Sequence, residues 1–150
     1  MKTDDDLSNL DVVAASEKGF EIPLYHPGTT ADLGWWIRVL GRDSAEFRQC
    51  QSEQNRKRMN KLSKGGRTTG ASLQEIVTET VELLAACTVD WGRVAKTLDG
   101  VSIPAKSTLL DNGEELPCTR MNAITIYTKY PWIREQVDAG VGDRANFLVT

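Results

Sequence analysis

The chain has 150 residues, a net charge of −3 and an apolar fraction of 40%. This length allows one domain with a real core, or a small domain with arms. The small negative charge does not predict attraction of the whole molecule to nucleic acid or to an acidic membrane. No apolar run approaches the ~18 residues of a membrane span, and the acidic N-terminus lacks the apolar region of a secretory signal. Three widely spaced cysteines, at positions 50, 87 and 118, favour reduced thiols over a disulfide framework.

The first part of the chain predicts an acidic segment followed by a β-hairpin. Residues 1–18 are expected to be partly disordered, with a short helix or a lead-in strand over residues 10–18. Residues 20–25 alternate between apolar and other side chains, which predicts a strand. Pro23 has no N–H to donate to a neighbouring strand, so this strand is expected at an edge.

The second strand of the predicted hairpin is WWIRVL, residues 35–40, which follows a loop at residues 26–34. The hairpin as a whole spans residues 19–41 and is expected to be antiparallel. Trp35 and Trp36 point to opposite faces of the strand, so one indole is expected to stay exposed unless a helix of the same domain or a partner covers it.

Residues 42–71 predict a basic helix and a flexible linker. Asp43 and Glu46 have the spacing of an N-cap and its third helical residue, and the helix is expected over residues 44–63. Its apolar content is thin, and a helix that is polar nearly all round bridges solvent or docks on a partner. The basic residues are Arg56, Lys57, Arg58, Lys61, Lys64 and Arg67.

Residues 72–150 predict a helical core. The clearest helix runs from Ser72 to Cys87, with Ser72 and Glu75 spaced as a capping box. One apolar stripe follows its length and is expected to be core, with Trp91 as an anchor at its end. The members of the stripe are Leu73, Ile76, Val77, Thr80, Leu83, Leu84 and Cys87.

After this helix, residues 101–110 are expected to be irregular with an extended piece, and residues 111–117 to form a loop. Thr119 is a candidate cap for a helix over residues 120–129, with Met121, Ile124 and Tyr127 or Thr128 inward. Pro131 suits the first position of a last helix, which is expected to break near Gly142 and resume at Asp143. The inward residues of this last helix are Ile133, Val137, Val141 and Leu148. The predicted fold class is therefore α+β, an N-terminal antiparallel β-hairpin followed by a mainly α-helical domain of about four helices.

The residue types do not predict an enzyme, a metal site or a cofactor. His26 is the one histidine, and neither a CxxC nor an HExxH pattern is present. The basic run at residues 56–67 is the one charged feature above background. It is compatible with a solvated helix face, with nucleic acid phosphates, or with an acidic protein surface.

Three segments together resemble the tail assembly chaperones of long-tailed bacteriophages, and the likeness covers most of residues 10–150. They are GRDS at residues 41–44, LLAACTVDW at residues 83–91 leading to LDG at 98–100, and YPWIREQV at residues 130–137 leading to GDRANFL at 142–148. The order and spacing of the segments are more specific than any one of them. The sequence departs from the pattern at residues 140–142, where two glycines stand in place of better helix formers.

The resemblance implies a protein without catalytic activity, located in the host cell cytoplasm and absent from the mature virion. It implies binding to the tape measure protein, which the chaperone keeps soluble while the tail tube assembles, and it implies self-association. The tail tube protein is a second candidate partner. Candidate partner-binding residues are Trp35, Trp36, Arg56, Lys57, Arg58 and Lys61. The alternative is a small nucleic-acid-binding or regulatory protein that uses the basic helix at residues 56–67.

Overall fold

The computed structural model describes residues 6–63 and 72–148, where a 3-10 helix at Leu7–Leu10 precedes six α-helices and seven strands. The elements are α1 (Val12–Lys18), β1 (Phe20–Tyr25), β2 (Asp32–Val39), α2 (Ala45–Ser63), α3 (Leu73–Cys87), β3 (Thr88–Arg93), β4 (Lys96–Leu98), β5 (Val101–Ile103), β6 (Thr108–Asp111), β7 (Glu114–Pro117), α4 (Arg120–Lys129), α5 (Pro131–Gly142) and α6 (Ala145–Leu148). The prediction of mixed helices and antiparallel strands with an N-terminal hairpin is confirmed. The predicted number of about four helices is wrong, since the described residues form six. The linker predicted after α2 lies outside the described residues.

The main sheet has three antiparallel strands in the order β1-β2-β3. Ile22, Ile37 and Trp91 lie opposite one another across the three strands and face the core. As Pro23 predicts, β1 is an edge strand. The side-chain amide of Gln136, on α5, accepts from the Tyr25 backbone N–H and donates to the Tyr25 carbonyl, both at 2.9 Å. This contact covers part of an edge that another strand could otherwise pair with.

The core lies between this sheet and helices α3, α4 and α5. Trp91 is fully buried, as predicted, and its indole N–H donates to the carbonyl of Leu116 at 2.9 Å. That bond satisfies the polar end of the largest core side chain, which would otherwise be costly to bury. Tyr127 is also fully buried, and its hydroxyl lies 2.6 Å from the hydroxyl of Thr88. Because the Thr88 hydroxyl donates to the Leu84 carbonyl at 2.8 Å, the Tyr127 hydroxyl is the donor to Thr88.

Residues 88–117 contain five strands, where the sequence predicted an irregular piece and a loop. β3 is the third strand of the main sheet, and β4-β5 and β6-β7 are two short antiparallel hairpins. Asp99-Gly100 and Asn112-Gly113 form their turns, with φ between 51° and 80° at all four residues. Turns with two positive φ values match the twist of paired strands, and Asn-Gly or Asp-Gly is the usual sequence for them. The prediction of a loop at residues 111–117 is therefore wrong.

Most of the helix boundaries match the sequence predictions. Ser72 caps α3 and Thr119 caps α4, accepting from the backbone N–H groups of Glu75 and Asn122 at 3.2 and 3.1 Å. The cap of α2 is displaced by one residue, because Ser44 rather than Asp43 accepts from the Phe47 N–H.

The inward face of α4 differs from the prediction. Ala123, Ile126 and Tyr127 are buried, whereas Met121 is exposed, Ile124 is half-buried and Thr128 is exposed. The buried face is therefore displaced around the helix, and Tyr127 is the one residue that belongs to both the predicted and the observed set.

The last helix begins at Pro131 and ends at Gly142, as expected, but the next helix, α6, begins at Ala145 and not at Asp143. Ile133, Val137 and Val141 are buried, whereas Leu148 is half-buried and its neighbour Phe147 is buried. Gly140 lies where α5 crosses β1, and a Cβ there would be 2.9 Å from Ile22 Cγ1 and nearer still to its Cδ1. The glycine that looked unfavourable for a helix therefore allows the helix and the strand to pack closely.

Candidate partner-binding surface

Helix α3 has two different halves, and the predicted core stripe is wrong for Leu73 and Ile76 in the first of them, whereas Val77 is half-buried and packs against the core. Leu73 is 80% exposed and Ile76 is 48% exposed. The second half supplies the core residues Val81, Leu84, Ala85 and Cys87. The apolar stripe is continuous in sequence, but the structure buries only the part of it that lies against the sheet and the other core helices.

Helix α2 makes polar contacts along α3, and near its start Phe47 packs against the core. None of its 19 residues, all of them described, is buried. The Gln54 side-chain amide donates to the Glu79 carbonyl at 2.8 Å, and the Arg58 guanidinium pairs with the Glu79 carboxylate. We call α2 together with residues 73–80 of α3 the arm. We call the three-stranded sheet, residues 81–87 of α3, α4 and α5 the frame.

The predicted basic residues that the structure describes lie on the arm. Arg56, Lys57 and Lys61 are exposed, and Arg58 keeps about half of its side chain exposed (53%) while it pairs with Glu79. Lys64 and Arg67 lie outside the described residues. The arm thus presents at least three charged side chains to solvent near the end of α2.

The two predicted tryptophans lie on the frame and on opposite faces of β2. Trp35 is half-buried and packs against the core. Trp36 is half-buried on the outer face, where Pro23 and Gly92 are its cross-strand neighbours. Its indole lies over Gly92, since a Cβ there would be 2.9 Å from Trp36 Cζ2. The structure therefore places the tryptophans and the basic residues on different elements. Of the two tryptophans, Trp36 is the one that faces away from the core.

Two surface clefts border the arm. One, of about 420 Å³, lies between α1 and α2, and Arg48 and Val13 are among its lining residues. The other, of about 220 Å³, lies between α2 and α3. Its lining residues are Gln51, Gln54, Asn55, Arg58, Ile76, Glu79, Thr80 and Leu83. The apolar residues of the second cleft are Ile76 and Leu83 of α3, which the sequence analysis assigned to the core.

The segments that support the family resemblance meet in or beside the frame. Asp43 and Arg144 form a two-point ion pair, with N–O distances of 2.7 and 2.8 Å, which joins GRDS to GDRANFL. Arg144 donates to Asp43 and holds the pKa of that carboxyl below its ordinary value. The Gly41 N–H donates to the Ser16 carbonyl at 3.0 Å, and the Arg42 N–H donates to the Val141 carbonyl at 3.3 Å. These contacts hold elements together; Gly41 is buried and Asp43 is half-buried, whereas Arg42 and Arg144 are exposed.

The cysteines are thiols in the part of the chain that the structure describes. Burial raises the pKa of Cys87 to about 12 and that of Cys118 to about 11. Burial also raises the pKa of Cys50, on α2. A thiol reacts as its thiolate, so these shifts lower the reactivity of all three at neutral pH. Among residues 6–63 and 72–148, no three His, Cys, Asp or Glu side chains lie close enough together to hold a metal ion.

We find no match to this chain among protein-family models, curated proteins or solved structures. None of the helices in the described ranges has both the length and the apolar character needed to cross a bilayer. Because no relative identifies a binding site, the candidate surface is identified from the structure of this chain alone. Sequence reasoning found the basic residues but missed Ile76 and Leu73 as surface residues. Helical periodicity gave no signal for them, because it does not show what lies opposite a helix face.

Proposed function

We propose that this protein is a tail assembly chaperone of a long-tailed bacteriophage, acting in the host cytoplasm and absent from the finished virion. In this role it binds the tape measure protein, keeps it soluble and helps the tail tube to assemble around it. Self-association and contact with the tail tube protein belong to the same proposal.

The observation that supports the proposal best is the division between frame and arm. The frame buries the motif residues Leu84, Trp91 and Val137, and α2 adds only the half-buried Phe47 to this core. The arm keeps apolar and basic side chains in solvent, which a compact monomer with no partner would not need. A chaperone that holds a client reversibly needs such a surface on a stable support.

Co-expression of the chain with the tape measure protein of the same phage tests the proposal. We expect the tape measure protein to move from the insoluble to the soluble fraction and to be recovered with the tagged chaperone. An unrelated small acidic protein, expressed at the same level, is the control for a general effect on expression. If the tape measure protein stays insoluble and no complex is recovered, the protein is not its chaperone.

The competing interpretation is a nucleic-acid-binding or regulatory protein that uses Arg56, Lys57 and Arg58. Phosphate contacts make binding strongly salt-dependent. A DNA gel shift that weakens with salt and is abolished when these three residues are replaced by alanine would favour it. The exposed apolar side chains beside these cations favour a protein partner, because an aliphatic side chain gains nothing from a phosphate.

A further inference from the structure

The end of the arm combines exposed apolar side chains with a local excess of positive charge. Met59 and Leu62 of α2 are 65% and 41% exposed, and Leu73 and Ile76 of α3 are also exposed. Arg56, Lys57, Arg58 and Lys61 are four cations in residues 54–63, a range without an acidic residue. The facing turns of α3 carry Glu75 and Glu79, so this end of the arm has a net charge of +2, against −3 for the whole chain.

The two helices bring these side chains to the same end because they run antiparallel. Arg58, near the end of α2, pairs with Glu79, whereas the Leu40 N–H, five residues before α2 begins, donates to the carbonyl of Cys87 at the end of α3 at 2.8 Å. Residue numbers therefore increase along α2 in the direction in which they decrease along α3. Met59 and Leu62 consequently lie at the level of the first turns of α3, near Leu73 and Ile76.

The pattern on α2 places apolar residues between cations. Successive residues of an α-helix are rotated by about 100°. On this spacing Leu62 and Met59 project between Arg58 on one side and Arg56 on the other. The cleft between α2 and α3, with Ile76 and Leu83 among its lining residues, continues along the side of Arg58.

We propose that this end of the arm is a docking surface for an acidic amphipathic helix. The apolar face of such a helix covers Met59, Leu62, Leu73 and Ile76, and its carboxylates meet the cations that flank them. Helix-in-groove recognition uses apolar anchors at helical spacing, and methionine adapts to anchors of different shape. Charge complementarity selects an acidic helix over a basic one and speeds association. The proposal deepens the proposed function, since it names the kind of client segment that the chaperone would hold.

Fluorescence anisotropy with labelled synthetic peptides of about 20 residues tests the surface directly. The probes are a leucine-faced helix with glutamates on its other faces, the same helix with lysines for glutamates, a scrambled acidic peptide, and a short DNA duplex. We expect the acidic amphipathic peptide to bind, more weakly as salt rises. Equal binding of the basic peptide, or binding of DNA alone, would overturn the proposal.

Two pairs of variants locate the site. M59Q/L62Q should weaken peptide binding about tenfold or more, as expected for anchors at a helix interface. L98Q/M121Q is its control, because Leu98 and Met121 are also exposed, at 58% and 71%, but lie on β4 and α4. R56E/K57E should weaken binding by a similar factor, with K18E/K96E as the control of equal charge change. If either control weakens binding as much as its partner, the surface lies elsewhere.

In this design the docking surface and the proposed chaperone function can be disproved separately. Circular dichroism checks that each variant is folded, and the changed residues are exposed, so melting temperatures should stay close to that of the wild type. If the wild type and M59Q/L62Q keep the tape measure protein soluble equally well, the docking surface is wrong and the chaperone function stands. If the peptide binds as expected but the tape measure protein stays insoluble, the surface stands and the proposed function is wrong. A loss of self-association in M59Q/L62Q with unchanged peptide binding would identify a second copy as the occupant and overturn the proposal.

Discussion

The frame and the arm of this protein contain the same kinds of residue but differ in how far they bury them. In the frame, apolar side chains are buried and polar ones have partners: within the described residues, no buried side-chain nitrogen or oxygen lacks a hydrogen bond. In the arm, a 19-residue helix has no fully buried residue, packs against the core through Phe47, and contacts α3 through the polar pairs of Gln54 and Arg58 with Glu79. Burial of apolar surface is the main source of stability. The frame therefore supplies most of the stability, and the exposed side chains of the arm are free to contact a partner.

Close backbone approaches sharpen the same contrast. In the frame, glycines mark places where two elements nearly touch, such as Gly92 beneath Trp36 and beside the Lys106 carbonyl, and Gly140 against Ile22. The arm has no glycine in residues 45–63 or 73–80. Tight packing of this sort is sensitive to one added methyl group, whereas a surface that accepts a partner tolerates side-chain changes.

The largest expected contrast is between two positions on the same helix. Leu84→Ala removes a side chain that is 1% exposed in the frame and should cost about 2–5 kcal/mol of unfolding free energy. Ile76→Ala removes a half-exposed side chain from the arm and should change stability by less than about 1 kcal/mol. Urea unfolding followed by circular dichroism measures both.

The partner-binding assay completes this test. Ile76→Ala should weaken binding of the acidic amphipathic peptide while leaving the fold intact, and a variant at Leu84 should affect binding only as far as it unfolds the chain. If Leu84→Ala stays fully folded but no longer binds, or if the two variants cost the same in stability, the division of α3 into frame and arm is wrong.

A smaller effect is expected at the crossing of α5 and β1. Gly140→Ala places a methyl group against Ile22 and should cost about 1–3 kcal/mol, although alanine is the better helix former. Gly142→Ala, two residues on, meets nothing within 4 Å and should leave stability unchanged or raise it slightly. Thermal melts of the two variants should therefore move in different directions.

The Ile22 side chain provides the internal control for that prediction. Ile22→Val removes Cδ1, the atom that the new methyl group would meet most closely. The double variant G140A/I22V should consequently be less destabilised than the two single variants predict together. Additive losses would show that the crowding at Gly140 involves something other than Ile22.

Much of the fold follows from local sequence rules, and the failures have identifiable causes. Pro23 predicted an edge strand, Ser72 and Thr119 predicted helix starts, and Pro131 predicted the start of α5, because each depends on the chemistry of one or two residues. The hairpin β6-β7 was missed although Asn112-Gly113 is a strong turn signal. Its strands are only four residues each, too short for apolar alternation to identify them.

The candidate surface was predicted in part, and the missing part required tertiary information. The cations of α2 could be found from the sequence, because a helix with so little apolar content cannot bury them. Leu73 and Ile76 could not, because periodicity reports which residues share a face and not what lies opposite that face. Asp43 likewise looked like a helix cap. Its actual partner, Arg144, is 101 positions away in the chain, and only the fold brings the two together.

The smallest expected effect is at the base of the arm, where Asp43 pairs with Arg144. The folded-state pKa of Asp43 is depressed, so the pair stabilises the fold above the unfolded pKa of about 3.9 and loses this contribution as pH falls through the folded pKa. Asp43→Asn should therefore lower the melting temperature slightly near neutral pH and progressively less below about pH 4. Arg144→Gln should give the same profile, and the double variant should show no further loss, because both changes remove one interaction. A difference between wild type and D43N that is constant down to acid pH would show that Asp43 acts through packing and not through its charge.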